Sequence, residues 1–401
     1  MEKSSGAIQL KPGREKPVQN HHPWIFSGAV AKVQGSPQPG DLVDIMAKDG
    51  AWLALAYFNP HSQIRARILS WNPKYQIDED WWRRRLKEAI DTRVSIEVSQ
   101  FTDAYRLVYA EADRLPGLVV DRYGDYLVLQ ALTAGIDRRK KMLSDILTQE
   151  LHPKAIVERS DVDVRKKEGL LQQRGLLSGS NPPGDLMITE NGQTYDVDLL
   201  HGHKTGLYLD QRDNRALLGQ PRFVNERSVL NVFSYSGGFA LPAIAGGAQA
   251  VTNIDSSAEV LKLARRNVER NFGERQQDDY INGDAFQILR EYRDADRKFD
   301  AVILDPPKFA FSKGDVQGAA RGYKDLNWLA FRILRRGGIL ATFSCSGLVS
   351  ADLFQKIVFS AAIDASRDAQ ILYQLTQAPD HPVLLTFPES AYLKGLLLRV
   401  I

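Results

Sequence analysis

The chain has 401 residues, 43% hydrophobic and 25% charged, with a formal net charge of +3. That length predicts more than one domain with a sizeable core, and the near-neutral charge confines any nucleic-acid-binding surface to local patches. One cysteine excludes an internal disulfide, and no run nears the roughly 18–20 apolar residues that span a bilayer, so a cytoplasmic protein with no membrane partner is expected.

From the N-terminus, apolar runs at 29–33, 41–46, 51–58 and 64–68 alternate with turn signals such as Gly35-Ser36-Pro37, Pro39-Gly40-Asp41 and Asn59-Pro60. Short strands punctuated in this way predict a small β-barrel or sandwich over 1–72. The pattern changes at Asn72-Pro73, and 78–93 (DEDWWRRRLKEAIDTR) predicts an amphipathic helix with acids in its first turn. Strands at 105–109, 117–123, 126–131 and 155–159 with a helix at 138–151 predict an α+β segment over 73–184, closed by a loop, GSNPPG, at 179–184.

The remainder, 185–401, opens with a hairpin whose arms, 187–189 and 194–200, flank Asn191-Gly192. Strands then follow at 228–232, 250–254, 279–281, 299–304 and 338–343, alternating with helices that include 258–271 and 323–334. This alternation predicts an α/β fold, an open and mostly parallel sheet with helices on both faces.

Ligands of such sheets bind outside the C-terminal ends of the strands, and four of those ends carry a pattern. LNVFSYSGGF (230–239) ends a strand in small residues that let the backbone turn sharply and approach a ligand, but it is not the GxGxxG of a nicotinamide dinucleotide site. Asp255 in TNIDS (252–256) suits a ribose diol, or caps the next helix with Ser256 and Ser257. Asp284 in NGDAF (282–286) is placed to accept an adenine amino group, or is again a helix cap. In LDPPKF (304–309) two prolines fix an extended turn that holds Asp305 at the mouth of a buried strand.

These four strand ends, in this order, resemble the class I (Rossmann-like) S-adenosylmethionine-dependent methyltransferases, and Asp-Pro-Pro resembles the form that acts on nucleic-acid bases. HKTGLYLDQR (203–212) resembles the lead-in of the ribosomal RNA large-subunit methyltransferases of the RlmI type. LKPGR (10–14) and HPWIFSG (22–28) are similar to the opening of that family's N-terminal PUA domain, and EADRLPGLVVD (111–121) to its middle domain. The resemblance implies S-adenosyl-L-methionine as cofactor, large-subunit ribosomal RNA as partner, no metal, and allows a homodimer. It implies a donor pocket built from Tyr208, Asp210, Phe233, Ser236, Gly237, Asp255, Ser256, Asp284, Ala285 and Asp305. EKPVQN (15–20) carries fewer cations than the family's PUA face is expected to have. Clusters at Arg83 to Arg85 and Arg138 to Lys141 would meet phosphates, or are solvated helix surface.

Cys345, in ILATFSCSG (339–347), is either a small apolar plug or a nucleophile. Methylation at C5 of a pyrimidine needs a thiolate at C6 and an acid at the base edge, and the ends of the fourth and fifth strands would place Asp305 and Cys345 together. The family resemblance implies the nucleophile. The expected activity is therefore methylation of C5 of a cytosine in 23S ribosomal RNA through a covalent cysteine adduct. Methylation of a base nitrogen, or a non-catalytic RNA-binding assembly role, are the alternatives. The second cysteine that related cytosine-C5 enzymes carry after the fourth-strand proline is replaced here by Pro307-Lys308, so another base must take the C5 proton; Lys308 qualifies by position alone.

Overall fold

The computed structural model describes residues 4–200, 202 and 205–401; His203 and Lys204 of the lead-in motif lie outside the described residues. The chain forms two compact units, one of Met1–Ile188, Val197–Leu207 and Pro379–Ser390, the other of Thr189–Asp196, Tyr208–Ala378 and Ala391–Ile401. Among the described residues no helix is long and apolar enough to cross a membrane.

The first unit holds two sheets. Strands β1 (Gly6–Leu10), β2 (Trp24–Phe26), β3 (Val30–Gly35), β4 (Leu42–Met46), β5 (Trp52–Phe58) and β6 (Ile64–Ser70) lie in the order β2-β6-β5-β4-β1-β3. Alternate residues such as Ile8, Leu10, Val43, Ile45, Ala54 and Ala56 fill its core, as the period-two pattern requires. β1 and β2 lie outside the predicted apolar runs. Strands β7 (Ala104–Tyr109), β8 (Leu118–Tyr123), β9 (Tyr126–Ala131), β10 (Ala155–Ser160) and β11 (Gln173–Gly179) form the other sheet, ordered β11-β10-β9-β8-β7. The helices Glu79–Ser95 and Lys140–Leu151 close its core with Trp81, Trp82, Leu86, Leu143, Ile146 and Leu147. The first helix begins where Asp78 accepts from the Trp81 amide at 2.9 Å. β11 is an edge strand exposed along most of its length, so no buried face announced it.

A hairpin of β12 (Met187–Glu190) and β13 (Gln193–Asp196) turns at Asn191-Gly192, both at positive φ. Its second arm ends at Asp196, short of the predicted 200. The second unit's sheet comprises β14 (Ser228–Val232), β15 (Ala250–Asp255), β16 (Asp279–Asn282), β17 (Phe299–Leu304), β18 (Leu334–Ser344), β19 (Ala369–Thr376) and β20 (Lys394–Val400), ordered β16-β15-β14-β17-β18-β20-β19. β14 to β18 are parallel, whereas β20 runs antiparallel between β18 and β19. β14 and β17 are buried at successive residues, the signature of a sheet covered on both faces. The helices Ala285–Asp294, Val316–Ile333 and Ala351–Asp364 share one apolar core with the sheet, while Ala258–Phe272 packs on β15 and β16. The α/β expectation holds, with two corrections in extent. The helix predicted at 323–334 starts at Val316, after a capping box between Ser312 and Asp315, because VQGAARG is too polar and small to show a stripe. β19 and β20 add two strands to the predicted five.

Candidate active site

Five parallel strands deliver their C-terminal ends to one edge of the second unit. After β14 the chain takes a strained turn: Phe233 (φ 62°), Tyr235 (φ 45°) and Gly237 (φ 79°) are all left-handed. For two aromatic residues that conformation costs roughly 1–2 kcal/mol each, and such strain persists only where neighbours enforce it. They do. The Ser234 amide donates to the Ile254 carbonyl at 3.0 Å, the Tyr235 amide to Asp255 Oδ2 at 3.0 Å, and Asn267 Nδ2 to the Ser236 carbonyl at 2.9 Å. At Gly237 a Cβ would also sit 3.2 Å from that of Ala264. Ser234 and Ser236 are buried, and among the described residues their hydroxyls have no hydrogen-bond partner, a cost of about 1–3 kcal/mol each that a ligand with polar groups relieves.

Asp255 ends β15, and both its oxygens accept backbone amides, from Tyr235 and from Ser257 at 3.0 Å. The helix cap is Ser257 rather than Asp255 or Ser256, and Ser256 is exposed. Asp284 is exposed and caps the next helix through the Gln287 amide at 2.9 Å; Ala285 is buried in the core beneath it. At this position the cap expected as an alternative is present, on a carboxylate that still faces solvent.

β17 and β18 are parallel neighbours, with Leu304 opposite Thr342; Asp305 follows the end of β17 and Cys345 the end of β18 at Ser344, so they occupy adjacent strand mouths. The Cys345 thiol is half-buried, 4.0 Å from the Pro306 carbonyl. Ser346 ties the two loops together: its hydroxyl accepts the Phe309 and Ala310 amides at 3.2 and 3.3 Å and bonds the Tyr323 hydroxyl at 3.0 Å. Phe309 is packed on Tyr323, but Phe311 is 70% exposed with the Lys308 ammonium 5.4 Å from its ring centre. Burial, followed by the charges of Asp305, Tyr235, Asp210 and Cys345, pushes the Tyr208 hydroxyl well above its usual pKa. The Tyr208 ring meets Tyr235 edge-on at 5.2 Å. Asp210 is buried, and its carboxylate accepts the Tyr392 hydroxyl.

One polar residue beside Cys345 was missed by sequence reasoning. Lys394 opens β20 opposite Ser344, and its ammonium donates to the carbonyls of Ser346 (2.7 Å) and Val349 (2.8 Å). Burial lowers its pKa to about 8, with the nearby Cys345 opposing that shift and Lys308 adding to it. The only signal available in the sequence was a lysine leading the apolar run KGLLLRV. The basic clusters are largely matched within the chain: Arg83 pairs with Glu79 and Glu150, Arg85 with Glu88, Arg138 with Asp41, Lys140 with Glu158 and Lys141 with Asp145, while Arg139 is buried on the Gly40 and Gly135 carbonyls. They are structural ion pairs before they are phosphate contacts.

Residues 8–71 match the family model of a PUA-like domain, and residues 174–399 that of an S-adenosylmethionine-dependent methyltransferase. A Streptococcus mutans protein assigned as a SAM-dependent methyltransferase superposes with a TM-score of 0.85 at 22% identity, covering 98% of this chain and 99% of that one. The structure of SMU.776, assigned as a methyltransferase and complexed with SAH, gives the same values. At that identity these structures establish the fold, and the family model over 174–399 defines the second unit as an S-adenosylmethionine-dependent methyltransferase. Ribosomal RNA large subunit methyltransferase I of Escherichia coli O139:H28 is 49% identical over 394 residues, spanning 98% of this chain and 99% of that protein. The chain belongs to the ribosomal RNA large subunit methyltransferase I family, as the motifs at 10–14, 22–28 and 203–212 implied, and S-adenosylmethionine is its cofactor.

Proposed function

We propose that this protein methylates C5 of a cytosine in 23S ribosomal RNA, in the cytoplasm, through a covalent adduct with Cys345. The observation that carries the reading is the meeting of Asp305 and Cys345 at adjacent strand mouths beside the strained turn. The related Escherichia coli protein's description as a ribosomal RNA large subunit methyltransferase supports the substrate class. Phe233, Ser236, Gly237, Asp255, Ser256, Asp284 and Ala285 would hold the cofactor, together with Tyr208, Asp210 and Asp305. The PUA-like and middle segments, 1–72 and 73–184, bind the RNA that segment 185–401 methylates.

C5 of cytosine is a poor nucleophile. Attack of the Cys345 thiolate on C6 forms a C–S bond and moves the ring's electron pair to C5, giving an enamine. Asp305, as the protonated acid, donates to N3, where negative charge gathers as the adduct forms, and takes the proton back when the adduct breaks down. When bound, S-adenosylmethionine supplies an electrophilic methyl group to C5. A base then takes the C5 proton, the C–S bond breaks, and the thiolate leaves with its electron pair. Substituting Cys345→Ala should abolish 5-methylcytosine in 23S ribosomal RNA, read by mass-spectrometric mapping, while calorimetry still detects cofactor binding. Near-full methylation by that variant would refute the adduct, and a methyl group mapped to a nitrogen rather than to C5 would move the reading to a base nitrogen.

A further inference from the structure

We propose that Lys394 is a positioning residue for the nucleophile: its ammonium clamps the Cys345 turn and presents a cation that favours the thiolate. The catalytic consequence rests on Cys345 being the nucleophile; the electrostatic one does not.

The clamp is visible in the geometry. β20 enters the sheet antiparallel to β18, and the register sets Lys394 directly across from Ser344, the residue before the cysteine. From there its side chain spans the turn and donates to the carbonyls of Ser346 and Val349, both buried residues. Those two bonds fix the backbone on the C-terminal side of Cys345, and the Ser346 hydroxyl fixes it to the Asp305 loop.

A hydrophobic chain would fill this space without the cost of bringing an ammonium out of water. The charged groups around the thiol show what the ammonium contributes. Tyr208 approaches from the segment before the first helix of the second unit, Asp305 from the end of β17, Tyr323 from the helix Val316–Ile333, and Lys394 from β20. Lys308 bears on Lys394 but is exposed over Phe311. The two tyrosines are neutral phenols, and the Asp305 carboxylate disfavours a second negative charge beside it. Among the described residues of this set Lys394 is the cation, and it is partly buried. An unaided thiol has a pKa of about 8.5 and is only a few per cent thiolate at neutral pH, whereas an adjacent cation lowers that pKa. Because burial brings the lysine's own pKa to about 8, the cation is present at neutral pH and fades in mild alkali, where the thiol ionises unaided.

Cys345 is the only cysteine, so its alkylation by iodoacetamide reports directly on its ionisation, without RNA. Rates measured from about pH 6 to pH 10 should show the midpoint rising by about one unit in Lys394→Met, equal to an about tenfold slower reaction at neutral pH. Lys394→Arg should keep the midpoint low. Lys394→Gln, which can still donate to both carbonyls without a charge, should shift it as Met does, and this variant decides the matter if Met does not fold. An unshifted midpoint in Gln or Met, with cofactor binding retained by calorimetry, would overturn the inference. The nucleophile reading fails separately, through methylation by Cys345→Ala, and that result would leave the alkylation midpoints as they are.

Discussion

Arg215 is 2% exposed, and burial opposes its charge; Glu190, 1% exposed, more than offsets this through two hydrogen bonds of 2.6 Å, so the guanidinium's pKa is raised. The same guanidinium donates to the Tyr208 carbonyl at 2.8 Å, so the ion pair also fixes the backbone from which Tyr208 reaches the site. Removing one partner strands the other charge in a low-dielectric interior, which costs about 3–5 kcal/mol, more than the intact pair contributes. Glu190→Gln or Arg215→Met should therefore lower the urea midpoint of the second unit sharply. The double replacement Glu190→Leu with Arg215→Met should recover most of the loss while still weakening cofactor binding, because Tyr208 has lost its anchor. Equal losses in the single and double variants would show that packing rather than charge is at stake.

Gly395 lies one residue beyond Lys394, opposite Phe343 in the β18–β20 ladder. A Cβ there would come within 2.4 Å of the Phe343 ring, which stacks at 5.6 Å on Phe239, the residue leading from the strained turn into the helix Ala240–Ala245. Overpacking of this kind costs about 1–3 kcal/mol. Gly395→Ala should thus lower the melting temperature and, by displacing Phe239, weaken S-adenosylmethionine binding in calorimetry; loss of stability with unchanged binding would uncouple strand from turn. The same strand marks the limit of what the residue order disclosed. β14, β15, β17 and β18 were legible because parallel strands buried on both faces read as unbroken apolar runs, and Asp305 and Cys345 were legible because they stand where such runs stop. β11 and β19 are edge strands with mostly exposed residues, so neither a run nor an alternation marks them. Lys394 meets the carbonyls of Ser346 and Val349 only because β20 returns antiparallel against β18, and nothing local to KGLLLRV specifies that partner.

The two units are each assembled from three separate stretches of chain, and for the first unit the short stretches satisfy groups that the long one buries. Thr205 donates to Asp121 Oδ2 at 2.7 Å and bonds the Tyr123 hydroxyl at 3.0 Å; that hydroxyl also accepts the Leu207 amide at 3.1 Å. From the other stretch, the Asp380 carbonyl accepts Arg93 at 2.8 Å, its carboxylate accepts the Arg106 amide at 2.9 Å, and the Ser390 carbonyl accepts the Tyr109 hydroxyl at 2.9 Å. Arg93, Asp121 and Tyr123 are all almost fully buried. A fragment ending at residue 188 keeps both sheets and both cores but leaves these groups short of partners, at about 1–3 kcal/mol each for those that stay dry. It should fold, yet unfold at a lower urea concentration than the first unit does within the whole chain. Trp24, Trp52, Trp71, Trp81 and Trp82 all lie in that unit and only Trp328 in the other, so intrinsic fluorescence follows the transition in both molecules. Adding back 189–207 should restore the Asp121 and Tyr123 contacts and part of the difference. A fragment as stable as the unit within the intact chain would mean that water satisfies those groups as well as Thr205 and Asp380 do.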